Sequence, residues 1–135
     1  MDSIEDEVIG FFSKRDEVVF LSLFGSRANG KSRQESDVDI AVLFNPDRIP
    51  GPMEMIEMRE DLSDRLRRDV DLVCLNTSSP IIGFQVLNKG KALLVKNRKL
   101  YDCYVINLLT DYCDLKRLRR PIEDSILKRR YYGRS

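Results

Sequence analysis

The sequence of 135 residues contains no histidine, and that absence removes several kinds of catalytic site. Ser-His-Asp and Cys-His catalysis both need an imidazole, and so does any zinc site with a histidine ligand. Chemistry in this chain must therefore use carboxylates, hydroxyls, lysine and arginine side chains, and bound metal ions.

Paired cysteines, excess charge and long apolar runs are missing as well. The three cysteines, Cys74, Cys103 and Cys113, show no CxxC spacing and are odd in number, so we expect reduced thiols rather than a disulfide framework. The net charge of +1 gives no overall field toward nucleic acid or membrane. No apolar run is long enough to span a bilayer, and the acidic start MDSIEDEV is unlike a signal peptide, so we expect a cytoplasmic protein.

The spacing of apolar residues predicts helices and strands in alternation. We expect a helix over residues 4–15, strands over 18–24 and 38–44, a helix over 55–66, a strand over 70–75, a helix over 80–88, an edge strand over 92–95, and a long helix from residue 101. Ser79 is the predicted N-cap of the third helix, and Lys89-Gly90 is its predicted stop. Pro121 is expected either to kink the long helix or to begin a last short one.

This order predicts one α+β domain over residues 1–135, with a small mixed β-sheet flanked by helices and a long C-terminal helix. A catalytic core would occupy about residues 17–96, and a helical segment about residues 98–132. Asn45-Pro46 and Pro50-Gly51-Pro52 indicate the loop that follows the second strand.

Two aspartates stand at the start of the second predicted strand. Asp37 and Asp39 are two residues apart, so their side chains point to the same face. Two carboxylates on one face repel each other, and burial would raise their pKa values. A divalent cation removes this conflict, and hard oxygen ligands suit Mg²⁺. Taken alone, such a pair is also common at ordinary strand edges and turns.

A Gly-Ser pair follows the first predicted strand. Gly25-Ser26 exposes backbone N–H groups with little side-chain bulk, and the serine hydroxyl adds a further donor. This arrangement favours an anion, although a lone Gly-Ser is usually a tight turn. Arg27 and Lys31 could brace the β- and γ-phosphates of a triphosphate, or could simply belong to a solvated turn.

A further pair of aspartates, Asp69 and Asp71, flanks the start of the third predicted strand. If this strand lies beside the second one, Asp71 or Asp69 completes a cluster of three carboxylates. Asp71 is the better candidate because it sits deeper in the apolar run. Three carboxylates can hold two Mg²⁺ ions about 3.5–4 Å apart, bridging the attacking and leaving oxygens of an in-line displacement.

In these residues the sequence resembles the DNA polymerase β-type nucleotidyltransferase superfamily. It is most similar to the minimal nucleotidyltransferases (MNT), the antitoxins of HEPN/MNT toxin–antitoxin pairs. Gly25-Ser26, a gap of ten residues, and Asp37-Val38-Asp39 match the family signature. The resemblance extends from about Val19 to Asp71, with weaker similarity at Asn88-Lys89-Gly90.

The resemblance implies a nucleotidyltransferase fold like the polymerase β palm, with ATP as donor and two Mg²⁺ ions as cofactors. It implies that Asp37 and Asp39 bind metal, that Asp71 is the third carboxylate, and that Ser26 contacts the triphosphate. It also implies transfer of AMP to a tyrosine hydroxyl on a partner HEPN ribonuclease toxin, in a hetero-oligomer. Such a modification would silence the toxin.

Two other functions stay open at this stage. The chain could neutralise its partner by occlusion without catalysis, or it could modify a small-molecule hydroxyl, which is less favoured because no second domain encloses a pocket. The basic stretches at residues 116–120 and 128–134 could contact nucleic acid, dock on an acidic partner or form a solvated face. Nucleic acid is not the favoured partner, and no membrane partner is expected.

Overall fold

The computed structural model describes residues 3–24 and 38–127, with side chains for residues 4–24 and 38–114. Its elements are α1 (Ser3–Ser13), β1 (Val18–Phe24), β2 (Val38–Phe44), α2 (Pro52–Leu66), β3 (Val70–Cys74), α3 (Pro80–Lys89), β4 (Lys91–Val95) and α4 (Arg98–Leu127). One four-stranded sheet has the order β3-β2-β1-β4. β2 and β3 are parallel, whereas β1 is antiparallel to both β2 and β4. The predicted α+β fold with a small mixed sheet is confirmed.

Each face of the sheet has its own apolar core. Val38, Ile40 and Val42 pack with residues of α1 and α2, while Ala41 and Leu43 pack with residues of α3 and α4. Successive residues of a strand point to opposite faces, so each position of β2 belongs to one layer. We call the two sides the α1/α2 face and the α3/α4 face.

Two helices begin earlier than the apolar spacing predicts. α2 begins at Pro52, which the sequence pattern places in a loop, because proline has no N–H to leave unpaired and its φ angle suits the first helical turn. α4 begins at Arg98 because Asn97 caps it: the Leu100 N–H donates to Asn97 Oδ1 at 3.1 Å. α4 then continues through Pro121 to Leu127, so no separate helix begins at that proline.

The ends of the other helices depend on local hydrogen bonds. α1 ends at Ser13, before Lys14, and the Arg15 N–H donates to Phe12 O at 3.1 Å in the turn that follows. The predicted cap and stop of α3 are confirmed: the Ile82 N–H donates to Ser79 Oγ, and α3 ends at Lys89 before Gly90. Among the described helices, none combines the length and apolar character needed to cross a bilayer.

Candidate active site

One end of the sheet brings together the C-terminal end of β1 and the N-terminal ends of the other three strands. Here Phe24, the last residue of β1, pairs with Asp39 of β2, and Asp39 pairs with Asp71 of β3. Neighbouring strands lie about 4.8 Å apart, so the two aspartates are separated by one strand spacing. We call this the aspartate end of the sheet.

Both aspartates point to the α3/α4 face. Asp39 alternates with Val38 and Ile40, which are fully buried on the α1/α2 face. Asp71 has the same orientation, because Val73, two residues further along β3, packs in the α3/α4 core. The apolar residues of each strand therefore force the carboxylates onto one face.

The two carboxylates differ in exposure. Asp39 is half-buried on an inner strand, whereas Asp71 is exposed on the edge strand β3. The Val38 N–H donates to Asp69 O at 2.9 Å, which sets the parallel register that places Asp71, and not Asp69, directly beside Asp39. The sequence left open whether the third strand lies beside the second, and in the structure it does.

Four of the predicted site residues, Gly25, Ser26, Arg27 and Asp37, lie outside the described residues. Their connection to the site is covalent: Gly25 is bonded to Phe24, and Asp37 is bonded to Val38. Within the described part of the chain, no group of three or more potential metal-ligating side chains occurs. Asp39 and Asp71 are thus the two described members of the predicted three-carboxylate cluster.

The packing of the α3–β4 junction against β1 at the aspartate end was not predicted from the sequence. Ser22 on β1 is 1% exposed, and its Oγ donates to Lys91 O at 3.2 Å. A Cβ atom at Gly90 would lie 2.6 Å from Ser22 Oγ, so only glycine allows this close approach. Two signals of it are visible in the sequence: the serine inside an otherwise apolar strand, and the weaker family similarity at Asn88-Lys89-Gly90.

Two cavities, of about 410 and 260 Å³, lie away from the aspartates. The larger is lined by residues that include Glu17 and Arg48, and the smaller by residues that include Asn76 and Tyr104. Neither Asp39 nor Asp71 lines either cavity. Among the described residues, the aspartate end is therefore distinguished by its side chains and strand register.

The described side chains at the aspartate end suit two tasks. Carboxylate oxygens on neighbouring strands are hard ligands of the kind that Mg²⁺ prefers, and one or two of them commonly suffice because water and phosphate fill the remaining positions. An exposed carboxylate such as Asp71 can also accept a proton from a bound hydroxyl. Both tasks belong to phosphoryl-type transfer.

Comparison with known proteins agrees with this chemistry. The family model "Polymerase beta, Nucleotidyltransferase" matches residues 6–99, which include every strand of the sheet. Among curated proteins, the chain is 31% identical over 105 residues to the protein adenylyltransferase MntA of Shewanella oneidensis. That match covers 78% of this chain and 73% of the relative.

Two solved structures with the same fold come from toxin–antitoxin complexes. One, described as a toxin–antitoxin with AMP-PNP, has a TM-score of 0.77 at 27% identity and covers 91% of this chain and 98% of that chain. Another contains a tri-AMPylated HEPN toxin of Shewanella oneidensis with an MNT antitoxin. It has a TM-score of 0.73 at 25% identity and covers 93% of this chain and 97% of that chain.

Proposed function

The chain belongs to the polymerase β nucleotidyltransferase family, and we propose that it is an antitoxin that transfers AMP from ATP to a tyrosine hydroxyl of a partner HEPN-type toxin. The observation that carries this proposal is the pairing of Asp39 with Asp71 where β1 leads directly into Gly25-Ser26. Two carboxylates on neighbouring strands would suit a metal–nucleotide complex, and Gly25-Ser26, which follow β1 directly in the chain, would supply the phosphate-binding groups. The names of the similar proteins support AMP transfer and a toxin partner.

The roles follow from the chemistry of each group. Asp37, Asp39 and Asp71 would hold two Mg²⁺ ions, which would neutralise charge on the attacking and leaving oxygens when bound. Gly25 and Ser26 would bind the triphosphate through N–H and O–H donors, with Arg27 beside them. Residues 1–135 would form one domain, with a catalytic core of about residues 17–96 and a helical segment of about residues 98–132.

The bond changes are those of an in-line displacement at the α-phosphorus. The acceptor hydroxyl oxygen forms a bond to phosphorus, and the bond from that phosphorus to the bridging oxygen breaks, so pyrophosphate leaves with the electron pair. Asp71 accepts the hydroxyl proton, since the chain has no histidine to do so. The protein contributes mainly positioning and charge compensation.

A protein acceptor fits the openness of the site. Asp71 is exposed on an edge strand, so a hydroxyl that projects from another molecule can reach it without entering a pocket. Selectivity would then arise at the interface with the partner, and the docked partner would raise the effective concentration of its own hydroxyl.

The test is label transfer to the partner protein. This chain, Mg²⁺ and ATP labelled at the α-phosphate should label the co-encoded toxin and inhibit its ribonuclease activity, whereas Asp39→Asn should do neither. Asp61→Asn, a carboxylate on α2 outside the site, is the matched control and should behave as wild type. If Asp39→Asn inhibits the toxin fully at equal concentration, occlusion is sufficient and the catalytic proposal is wrong.

A further inference from the structure

Two lysines lie near the aspartate end, on the side of β4. Lys91 of β4 pairs with Leu23 of β1, and the next residue of β1, Phe24, pairs with Asp39. Asp39 in turn pairs with Asp71 of β3. Lys89 precedes Lys91 by two residues and lies in the last turn of α3. Cationic residues therefore stand on the β4 side of β1, and anionic residues on its β2 side.

The two lysines lie on opposite sides of the sheet. Lys91 Nζ pairs with Glu5 Oε1 at 2.7 Å, and Glu5 belongs to α1, so this lysine is engaged on the α1/α2 face. Lys89 ends α3, the helix that packs on the face to which Asp39 points. Lys89 is exposed, and no described carboxylate lies within ion-pair distance of it.

The position of Lys89 is fixed by the glycine that follows it. The Gly90 N–H donates to Val86 O at 2.8 Å and closes α3. The Cβ-less backbone of Gly90 sits against Ser22 Oγ and against Leu23 O, to which a Cβ would be only 3.3 Å away. The end of α3 is thus held against β1, one residue before Phe24.

We propose that Lys89 binds the β- and γ-phosphates of the nucleoside triphosphate, on the side of the site opposite the acceptor. This inference rests on the proposed function. An in-line displacement places the attacking and leaving oxygens on opposite sides of the phosphorus. The acceptor has access at Asp71 on the edge strand, so the leaving pyrophosphate extends the other way, over β1 toward β4.

Charge and reach agree with this direction. The pyrophosphate end of ATP carries most of its negative charge, so a cationic side chain on the far side of β1 from the carboxylates would stabilise it. β2 and β4 are two strand spacings apart, about 10 Å, a span that a triphosphate and a flexible four-carbon lysine side chain can cover together. A lysine at this position also has a simpler role, since cations stabilise a helix C-terminus. The two roles predict different effects of a Lys89 substitution on the affinity for ATP.

The experiment compares Lys89→Gln with Lys91→Gln, which removes the same charge two residues away on the other face. Calorimetry with Mg²⁺ would measure affinity for a non-hydrolysable ATP analogue and for AMP. Lys89→Gln should weaken binding of the analogue about tenfold and leave AMP unchanged, since AMP lacks the β- and γ-phosphates. Lys91→Gln should leave both affinities unchanged, and Lys89→Arg should retain binding of the analogue.

Three results would overturn the inference. The first is wild-type affinity for the ATP analogue in Lys89→Gln, even if its melting temperature falls, because the lysine would then serve only the helix. The second is equal weakening in Lys91→Gln, because the effect would then be a general loss of positive charge. The third is a wild-type chain that binds no ATP analogue, which would also remove the proposed function; the first two leave that function intact.

Discussion

Polar side chains differ in their hydrogen bonds and exposure between the two ends of the sheet. At the end opposite the aspartates, Asn76 bonds to both backbone groups of Phe44, with each distance 2.8 Å. Lys96 Nζ likewise donates to Ser13 O and Arg15 O, at 3.0 and 2.6 Å. At the aspartate end, Asp71 and Lys89 are exposed and outside every described ion pair. Asn76 and Lys96 thus stabilise the fold at one end, whereas Asp71 and Lys89 remain accessible to a ligand at the other.

The largest expected effect separates function from stability at the aspartate end. Asp39→Asn should lower AMP transfer about a thousandfold, because it removes a carboxylate from the proposed metal site. The melting temperature of the metal-free protein should not fall, since the substitution keeps the size of the side chain and removes one of two negative charges on neighbouring strands. Transfer assays and thermal unfolding measure the two properties. A melting temperature far below wild type would mean that Asp39 is a structural residue.

The second prediction tests the register of β2 and β3. Asp71→Asn should lower the transfer rate about a hundredfold, because it removes the proposed third metal ligand and proton acceptor. Asp69→Asn is the matched control, an exposed aspartate two residues earlier that contributes its backbone carbonyl to β2. It should transfer AMP at close to the wild-type rate. Equal losses in the two variants would show that the register does not select Asp71.

The third prediction concerns stability at the end of the sheet opposite the aspartates. Asn76→Ala should lower the free energy of unfolding by about 2 kcal/mol, because both backbone groups of Phe44 lose a partner in a half-buried site. Transfer activity per folded molecule should not change. Asn45→Ala is the control, since Asn45 Oδ1 accepts one exposed bond from the Asp47 N–H and should matter less. Urea unfolding gives both values, and equal destabilisation would remove the contrast between the ends.

The aspartate end could be predicted from the sequence only in part, for a physical reason. Local spacing determines which residues of a strand share a face, so the orientation of Asp39 followed from its apolar neighbours. The pairing of Asp39 with Asp71 needed the strand order as well, which the sequence supported only as a condition. The position of Lys89 depends on β4 pairing with β1 and on the close approach at Gly90, contacts between segments distant in sequence.

Local interactions at helix ends explain the smaller differences between the predicted and the observed helices. The start of α4 was expected at residue 101 because apolar periodicity begins there, whereas the capping bond that Asn97 Oδ1 accepts sets it at Arg98. The same preference for periodicity left Pro52 in a loop, although proline is favoured in the first turn of a helix. In both cases the hydrogen-bonding needs of the helix end decided the boundary.

The Tyr104 hydroxyl on α4 neither bonds to the described backbone, as Asn76 does, nor remains exposed, as Asp71 does. This hydroxyl is buried with no hydrogen-bond partner among the described residues. The hydroxyl oxygen lies 2.6 Å from the position that a Cβ atom on Gly83 would occupy. Burial, with smaller contributions from Cys74 and Tyr101, raises the pKa of Tyr104 from 10.0 to about 12. A buried hydroxyl without a partner lowers stability, because it gives up its bonds to water on folding.

The smallest expected effect is therefore a gain in stability from Tyr104→Phe. Removing the hydroxyl should raise the free energy of unfolding by about 1 kcal/mol at pH 8, measured by urea unfolding. The sign of the pH effect follows from the raised pKa. Below pH 10 both states keep the proton, whereas between pH 10 and about 12 the unfolded chain releases it first, so wild-type stability falls in that interval. Tyr104→Phe should lose this component of the alkaline destabilisation, while Tyr112→Phe, in the half-buried stack with Phe84, should retain it. A less stable Tyr104→Phe would contradict the prediction, since it would mean that the hydroxyl has a partner, such as a bound water, in the folded protein.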